Sequence, residues 1–226
     1  KLLGFAAHAL RTNATGFKWA LYTILEGKYG ALTQSQKRIF KELYNNAETL
    51  ISLVEDYVDV SKFELRKLEL SLKKVAVGSI EEEIQKEVKA QENLSGIKKV
   101  KVQYVSSISE TKKHQTVFAD VPRLMRVIEN LLENALDYTP QGGIVRAETS
   151  IMQGTFCFHV VDTGIGIQEQ DNSKIFSEFF RSANARTYKS TGSGIGLFLA
   201  SMIIKAHRGN IWFESQENKG STFCFQ

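Results

Sequence analysis

Residues 130–140 read NLLENALDYTP, and this stretch decides which fold the surrounding chain can form. Asn130 and Asn134 are four residues apart, so a helix would place both carboxamides on one face. Leu131 and Leu132 would then turn toward a core. Asparagine is a middling helix former, and carboxamide oxygens are ligands of the kind that Mg²⁺ accepts when it shares phosphate oxygens. The motif indicates a polar ligand on this face, although two solvated asparagines would explain it equally well when it is taken alone.

A second motif, VVDTGIG at residues 160–166, is an apolar strand that ends in an aspartate and continues into glycines. The carboxylate of Asp162 could accept a hydrogen bond from an exocyclic amine such as that of adenine. Gly164 and Gly166 have no Cβ atom and would let the backbone approach a ligand closely. The pattern favours a binding loop, and a plain turn is the alternative interpretation.

Two further motifs rich in aromatic residues and glycine follow in the same half of the chain. Residues 175–181, IFSEFFR, could fix the base of a lid with their aromatic side chains, and Arg181 could reach phosphates; a small hydrophobic cluster is the alternative. Residues 192–197, GSGIGL, place glycines at the start of a helix, which favours phosphate binding. They do not follow a strand, as a dinucleotide-binding fingerprint would. The long stretch 163–193, here called the lid loop, is typical of lids and binding segments.

The hydrophobic pattern around these motifs mixes strands with helices. Alternating leucines predict a strand within residues 67–76, and Ser79 with Glu82 has capping-box spacing for a helix that reaches about Leu94. The remaining predicted elements are strands at 98–105 and 115–119, a helix at 122–138, strands at 143–151 and 154–162, a helix at 195–207 and two short closing strands. Because strands and helices do not alternate strictly, we predict an α+β two-layer sandwich for residues 67–226.

The first 66 residues show helical periodicity alone. Apolar residues recur at spacings of four and three in two seams, which Gly27 and Gly30 separate, and Thr33 with Gln36 has capping-box spacing for the second helix. The seams are Leu3, Ala7, Leu10, Ala14, Phe17, Leu21 and Ile24, and then Phe40, Leu43, Ala47, Leu50, Val54 and Tyr57. Such an all-α helical hairpin leaves half of its apolar surface uncovered, so we predict a homodimer that completes a four-helix bundle. His8 flanks the first seam and should face outward.

Composition argues against several classes of function. The net charge is +4 with acids and bases interspersed, and the cluster Lys98, Lys99 and Lys101 fits a solvated strand face, so we expect no nucleic-acid partner. Cys157 and Cys224 lie in alternating apolar runs and are expected to be buried thiols without metal-ligand spacing. No apolar run reaches the roughly 18 residues that span a bilayer, so we expect no direct membrane contact in this fragment. The sequence begins inside a helical pattern and is expected to be a piece of a longer protein.

Five segments in a fixed order resemble the cytoplasmic core of a bacterial sensor histidine kinase. They are AHALRT at 7–12, NLLENALDYTP at 130–140, DTGIGI at 162–167, IFSEFFRS at 175–182 and GSGIGLFLASMIIKAHRGNIWFES at 192–215. The resemblance implies a dimerisation and histidine-phosphotransfer hairpin at 1–66 and a catalytic, ATP-binding domain at 67–226, of the fold shared with DNA gyrase. It also implies ATP and Mg²⁺, a response-regulator receiver domain as partner, and a cytoplasmic location within a membrane-anchored sensor.

The resemblance also assigns roles to single residues. His8 would accept the γ-phosphoryl group of ATP, and Thr12, one turn on, would help to position water when that group is removed. Asn134 would hold Mg²⁺, Asn130 would lie near the phosphates, and Asp162 would bind the adenine amine. The other nucleotide-site candidates would pack by the nucleotide or shape the ends of the lid loop: Asp137, Tyr138, Gly164, Gly166, Arg181, Gly192, Gly194, Gly196, Leu197 and Thr222, with Asp120 and Arg123 as weaker matches.

Three positions depart from the family pattern. Ala9 stands where an acid usually follows the histidine; imidazole is largely neutral at pH 7, so we expect autophosphorylation that is slowed, by about 10²–10⁴-fold, rather than abolished. Asn13 replaces the usual proline, so the helix should be straighter near His8. Asp137 stands where a cation is frequent, and the sequence leaves open whether its carboxylate repels phosphates or points outward.

Four hypotheses follow from these observations. The leading one is an ATP-dependent protein-histidine kinase that phosphorylates His8 and then passes the phosphoryl group to an aspartate of a response regulator. The alternatives are an ATP-binding signalling module with little kinase activity, favoured by Ala9, and a phosphatase-dominant core that retains Thr12. A gyrase-like ATPase clamp is the fourth, and the helical hairpin with His8 argues against it.

Overall fold

The computed structural model describes the backbone of residues 2–64, 70–189 and 192–226, and their side chains except at 2–8, 52, 55–56, 59–64 and 93–98. The chain divides into two compact units, Lys1–Leu68 and Glu69–Gln226. Each unit is described by itself below. No helix within the described ranges combines the length and the apolar character that crossing a membrane requires.

The first unit consists of two helices that pack against each other, α1 (Leu2–Leu25) and α2 (Gln34–Glu64). The turn between them contains Gly27, whose φ of 77° favours glycine. The capping box that the sequence predicts for α2 is confirmed: Thr33 N donates to Gln36 Oε1 at 2.9 Å, and Gln36 N donates to Thr33 Oγ1 at 3.3 Å. Lys18 of α1 joins Glu48 of α2 at 2.8 Å.

The two apolar seams differ in burial from one residue to the next. One set lies between the helices and is almost fully buried: Ala14 at 1%, Ala47 at 8% and Val54 at 8% exposed. The other set is between 44% and 68% exposed and comprises Leu10, Phe17, Leu43, Leu50 and Tyr57. Leu21, Ile24 and Phe40 are intermediate, so the pair of helices buries only part of its apolar pattern internally.

The second unit is an α+β two-layer sandwich, as predicted, for the described residues 70–226. Its elements are β1 (Lys73–Ala76), α3 (Val77–Lys98), β2 (Lys101–Ser106), α4 (Glu110–Lys113), β3 (Thr116–Ala119), α5 (Val121–Tyr138), β4 (Ile144–Met152), β5 (Thr155–Asp162), a 3₁₀ turn (Glu169–Lys174), α6 (Ala183–Tyr188), α7 (Gly196–Ala206), β6 (Ile211–Gln216) and β7 (Gly220–Phe225). The main sheet has the order β2-β4-β5-β7-β6, in which β2 and β4 are parallel and the other pairs antiparallel. Strands β1 and β3 form a separate antiparallel pair.

Helix α5 packs against both α3 and α7, and all three helices contact the sheet. Strand alternation turns Phe158 and Val160 of β5 into this layer, where both are fully buried, and puts Asp162 on the same side at the end of the strand. Cys157 and Cys224 are free and buried, as predicted, and burial raises the pKa of Cys224 to about 11. Asp162 therefore places a buried carboxylate at the edge of the sandwich, where β5 ends.

One local prediction is wrong, and one is confirmed only in part. Helix α3 begins at Val77 without a side-chain cap, two residues before the predicted Ser79–Glu82 box. Val77 N donates instead to Gln115 O at 2.8 Å, so backbone from the segment before β3 satisfies the first turn. Strand β1 begins only at Lys73, after the alternating leucines; the first of these, Leu68, lies outside the described residues.

The reason is visible at Asp120. Its Oδ2 accepts the N–H of Ser71 at 2.9 Å, so a side chain rather than a strand partner holds the chain before β1. Its Oδ1 accepts Arg123 N at 3.3 Å and caps α5, and its own N–H donates to His207 Nε2 at 3.0 Å. One buried aspartate therefore joins the start of the unit to α5 and to the end of α7.

Candidate functional site

Helix α5 carries the two asparagines into the site. Leu131 and Leu132 are fully buried, whereas Asn130 and Asn134 are partly exposed, so both carboxamides lie on the side that the sequence predicts. The Asp120 cap, with Pro122 in the first turn, fixes where the helix starts and therefore which face the asparagines occupy.

Asn130 has an unsatisfied donor at the point where α7 begins. Its Nδ2 is buried and has no hydrogen-bond partner within the described part of the chain. A Cβ atom at Gly196, the first residue of α7, would lie 2.9 Å from Asn130 Oδ1. Glycine therefore lets the N-terminus of α7 approach the carboxamide closely. The unpaired N–H groups of a helix N-terminus and an unpaired amide together suit an anionic ligand.

Asp162 forms the opposite side of the site, at the end of β5. It is 7% exposed, and its Oδ1 accepts Gly164 N at 2.7 Å and Ser221 N at 3.2 Å. Burial raises the pKa of Asp162 from 3.8 to about 6, although these two backbone donors lower it in part. Among the described residues no group donates to Oδ2, which leaves this oxygen able to accept a hydrogen bond from a ligand.

The two glycines after Asp162 are required by close packing. A Cβ at Gly164 would lie 2.5 Å from the carbonyl oxygen of Tyr138, the last residue of α5. Ile165 N donates to that same oxygen at 3.1 Å, so the loop after β5 is tied to the end of α5. Gly166 has a φ of 64°, and its carbonyl accepts Asn184 Nδ2 at 3.0 Å. Asn184 thereby anchors α6 to the site, which its sequence context did not indicate.

One of the three aromatic residues of the IFSEFFR segment packs into the core, whereas Phe179 is 54% exposed. Phe176 contacts Phe213 and Phe223 with ring centroids 5.8 and 6.4 Å away. The described hydrogen bonds of Arg181 go to carbonyls of the lid loop, those of Ala185, Lys189 and Gly192. Within the structure Arg181 therefore organises the loop, and contact with phosphates stays a prediction for this residue.

The glycines at the end of the lid loop have different roles. Gly192 has a φ of 140° and lies against the Arg181 guanidinium, because a Cβ atom at this glycine would lie only 3.3 Å from Arg181 Cζ. Gly194 has a φ of 70°, and a Cβ there would lie 2.7 Å from the Phe180 carbonyl oxygen. Leu197 is partly exposed in the first turn of α7. These residues shape the entry to α7 rather than offering side-chain donors.

Two contacts at the mouth of the site escaped the sequence analysis. Asp137 of α5 forms an ion pair with Lys189 of the lid loop, and the ring of Tyr138 lies 6.4 Å from that of Tyr188. The sequence left open whether the Asp137 carboxylate repels phosphates or points outward. In the structure the Lys189 ammonium group neutralises its charge. The partners lie 52 residues apart for the ion pair, so no local spacing could have predicted them.

Thr222 is placed differently from the other nucleotide-site candidates. In the register of β5 and β7, Thr222 is opposite Val161, whereas Ser221 is opposite Asp162. Because strand faces alternate, Ser221 shares the face of Asp162 and Thr222 lies on the other face of the sheet. The geometry favours Ser221 over Thr222 as the neighbour of a ligand at Asp162.

The residues proposed for phosphoryl transfer lie on α1. His8 is within this helix, but its side chain lies outside the described residues. Thr12 follows one turn later and is exposed, as are Ala9 and Asn13. The helix runs without interruption through Asn13 to Leu25.

The donor set suits a nucleotide with magnesium. Within the described chain no group of three or more His, Cys, Asp or Glu side chains could hold a metal ion. A cation at Asn134 would therefore need oxygens from a ligand such as a phosphate, which is how Mg²⁺ commonly binds. The orphaned Asn130 amide, the start of α7 and the Asp162 carboxylate fit phosphates at one end and an amine-bearing base at the other.

Comparison with known proteins agrees with this geometry. Residues 119–226 match the family described as histidine kinase-, DNA gyrase B-, and HSP90-like ATPase. The sensor histidine kinase WalK of Bacillus subtilis is 28% identical over 97% of this chain and 35% of its own length. The adaptive-response sensory kinase SasA of Synechococcus sp. (strain JA-3-3Ab) is 30% identical over 100% of this chain and 58% of its own length.

A solved structure shows the same likeness. Full-length ShkA in complex with AMPPNP matches with a TM-score of 0.73 and 25% identity, over 99% of this chain and 44% of ShkA. The chain spans between about a third and three-fifths of the length of the two curated relatives named above. Residues 119–226 thus match an ATPase domain of the histidine kinase, gyrase and HSP90 type, and the chain as a whole is similar to sensor histidine kinases, which supports a histidine kinase catalytic, ATP-binding core.

Proposed function

We propose that this chain is a two-component histidine kinase core that phosphorylates His8 from ATP and then passes the phosphoryl group to an aspartate of a response-regulator receiver domain. The observation that carries the proposal is the buried, unpartnered Asn130 amide beside Gly196 at the start of α7. An orphaned buried donor costs about 1–3 kcal/mol, which a bound phosphate would recover. The relatives, a sensor histidine kinase and a sensory kinase by name, support the assignment.

ATP fits the site in one direction. The adenine amine would donate to Asp162 Oδ2, since Oδ1 already accepts two backbone N–H groups. The phosphates would then lie toward Asn130 and the start of α7, where helix N–H groups favour negative charge. Asn134 would hold Mg²⁺ on the adjacent turn of α5, and the ion would neutralise phosphate charge. The AMPPNP bound to the similar ShkA structure supports nucleotide binding.

The transfer itself needs little from the protein beyond positioning. An imidazole nitrogen of His8 forms a bond to the γ-phosphorus while the bond from that phosphorus to the β–γ bridging oxygen breaks, and ADP leaves. The proton on the other ring nitrogen must go to a base or to water. Ala9, which is exposed on α1, offers no acceptor. We therefore expect this step to run about 10²–10⁴-fold below a core that has a general base there.

We infer that the first unit dimerises. The exposed seam residues Leu10, Phe17, Leu43, Leu50 and Tyr57 repeat along both helices. Burying such a row stabilises an assembly at about 25 cal/mol per Å² of apolar surface. A second copy of the same two helices presents a matching row, so a four-helix bundle would cover both. This dimeric bundle would contain α1, the helix on which the proposed phosphoryl acceptor His8 and Thr12 lie.

A core with little kinase activity is the second candidate, and Ala9 is the observation that favours it. Such a protein would bind ATP and dock its regulator, or would mainly remove phosphoryl groups with help from Thr12. For either version, the ATP-handling unit and the family imply a cytoplasmic location within a longer, membrane-anchored sensor.

The deciding experiment is incubation of the purified chain with γ-labelled ATP and Mg²⁺, beside His8→Gln and Ala9→Glu variants. We expect acid-labile label in the native chain, none in His8→Gln, and faster labelling in Ala9→Glu. Equal rates for the native chain and Ala9→Glu would reject the role of a missing base. No label despite measurable ATP binding would reject kinase activity and favour the second candidate.

A further inference from the structure

Two consecutive residues at the end of α5 contact two consecutive residues of the lid loop. Asp137 pairs with Lys189, and Tyr138 packs near Tyr188. We propose that Lys189 is a phosphate-binding residue supplied by the lid loop, which Asp137 holds in position before the nucleotide binds. The inference rests on the nucleotide site of the proposed function and adds a residue to it.

The place of Lys189 follows from helix spacing. Asp137 is three residues after Asn134 and seven after Asn130, so all three side chains fall on one face of α5. The Lys189 ammonium group, which is paired with Asp137, therefore lies at the end of the row of α5 side chains that begins with the unpartnered Asn130 amide. It lies beside the position that a magnesium–phosphate group would take at Asn134.

Two other cations of the lid loop are directed differently. Arg181 donates to carbonyls of the loop, and Arg186 Nε donates to the Arg181 carbonyl at 3.1 Å. Both guanidinium groups thus have hydrogen bonds within the loop. Lys189 instead reaches out of the loop to α5. Its position places it better than either arginine to meet a ligand between these two elements.

Charge balance gives the second argument. A carboxylate at Asp137 beside a triphosphate would repel it, and Glu133 lies one turn earlier on the same helix. The Lys189 ammonium cancels the charge of Asp137 in the ligand-free protein. The side chains of Lys189 and Asp137 are 36% and 25% exposed. Partly exposed ion pairs are weak, so Lys189 can readily exchange the Asp137 carboxylate for a phosphate oxygen. An ammonium group has three donors and can bind a phosphate oxygen while it stays near Asp137.

The test measures binding of ATP and of adenosine, without turnover, by calorimetry in the presence of Mg²⁺. The variants are Lys189→Met, Lys189→Arg, Asp137→Asn and the double variant Asp137→Asn/Lys189→Met. Lys112→Met is the matched control, because Lys112 is exposed on α4 and its loss changes the net charge equally. Thermal unfolding of each variant shows that the second unit is folded.

We expect Lys189→Met to weaken ATP binding by about tenfold or more, the effect of one charge-assisted hydrogen bond, and to leave adenosine binding unchanged. Lys189→Arg should retain most of the affinity for ATP. The loss should persist when Lys189→Met is made in the Asp137→Asn background, and Lys112→Met should bind both ligands like the native chain.

Two results would overturn the proposal. If the loss of ATP affinity disappears in the Asp137→Asn background, Lys189 only neutralises Asp137. If adenosine binding falls as far as ATP binding, Lys189 shapes the lid loop and does not contact phosphates. Failure of the native chain to bind either ligand is a separate outcome, which would overturn the proposed function together with this inference.

Discussion

At the scale of single residues, the site combines groups that the sequence could predict with groups that it could not. Asp162 and the glycines after it follow a recognisable order, because a carboxylate at a strand end and close backbone packing both leave local signatures. Lys189 and Ser221 left no such signature. Lys189 depends on a contact across 52 residues, and only the register of β5 and β7 shows that Ser221 rather than the adjacent Thr222 shares the face of Asp162.

The raised pKa of Asp162 predicts a pH-dependent affinity for adenosine, a ligand that carries no phosphate to titrate. The ionised carboxylate is the better acceptor, so with a pKa of about 6 the affinity should fall about tenfold between pH 7 and pH 5. The folding stability of the ligand-free protein depends on pH in the opposite direction. The uncharged carboxyl of Asp162 favours the folded state, so its contribution to the free energy of unfolding is lost as the pH rises through 6. Calorimetric titrations at several pH values test this, with Asp162→Asn expected to bind weakly and without the pH dependence. A constant affinity from pH 5 to 7 would contradict it.

Gly196→Ala should weaken ATP binding while the second unit stays folded. The added methyl group would lie 2.9 Å from Asn130 Oδ1 and 3.4 Å from its Cγ, so the carboxamide must move. We expect ATP affinity to fall by about tenfold or more, since one charge-assisted hydrogen bond and its alignment are lost. Gly16→Ala is the matched control: it has open space around it within α1 and should gain about 0.5–1 kcal/mol of helix stability. Unchanged ATP affinity in Gly196→Ala would show that Asn130 is not a ligand.

At the scale of elements, the sandwich depends on a buried carboxylate that periodicity does not reveal. Glu81 of α3 is 1% exposed, and its Oε1 accepts hydrogen bonds from Tyr104, Ser106 and Thr149 at 3.0, 2.6 and 2.7 Å. These three residues lie on β2 and β4, so Glu81 joins one helix to two strands. Burial raises the pKa of Tyr104 to about 12, so its hydroxyl stays protonated as a donor. The Thr33 capping box, in contrast, was predictable because its partners are three residues apart.

Replacing Glu81 should destabilise the second unit severely. Glu81→Ala leaves three hydroxyl groups without their acceptor and opens a cavity, and we expect a loss of about 3–5 kcal/mol in the free energy of unfolding. Glu81→Gln retains an acceptor oxygen and should cost less. Urea unfolding followed by circular dichroism measures both, and Glu83→Ala, at an exposed position on the same helix, serves as the control. Similar unfolding midpoints for Glu81→Ala and Glu83→Ala would refute the role of this cluster.

At the scale of the whole molecule, the sequence predicts a helical first part and a second part in which strands and helices are mixed. The structure has two compact units. The seams in the first unit identify which positions are apolar, but only the structure shows which of them the two helices bury between themselves. Ala14, Ala47 and Val54 are covered, whereas Leu10, Phe17 and Leu50 stay accessible. Sequence alone cannot make this division, because both sets have the same spacing.

The accessible set predicts how the proposed dimer can be dissociated. Phe17→Glu would place a charge where two apolar rows should meet, and we expect the dimer dissociation constant to rise by about 100-fold or more. Trp19→Glu is a demanding control, because Trp19 is 63% exposed, close to the 68% of Phe17, but lies off the seam. Sedimentation equilibrium measures both variants. Equal weakening by the two substitutions would argue against a seam-mediated dimer.

The order of the strands affects how the protein can fold while it is being synthesised. Strand β7 follows every other strand of the main sheet in the chain, yet it lies between β5 and β6. Until β7 is synthesised, β5 presents an unpaired edge and β6 has no neighbour, and such edges invite aggregation. The two helices of the first unit make mostly local contacts and can fold while translation continues. A premature stop a few codons before Gly220 would therefore remove an interior strand of the sheet rather than an edge strand, and such a product should require chaperones or be degraded.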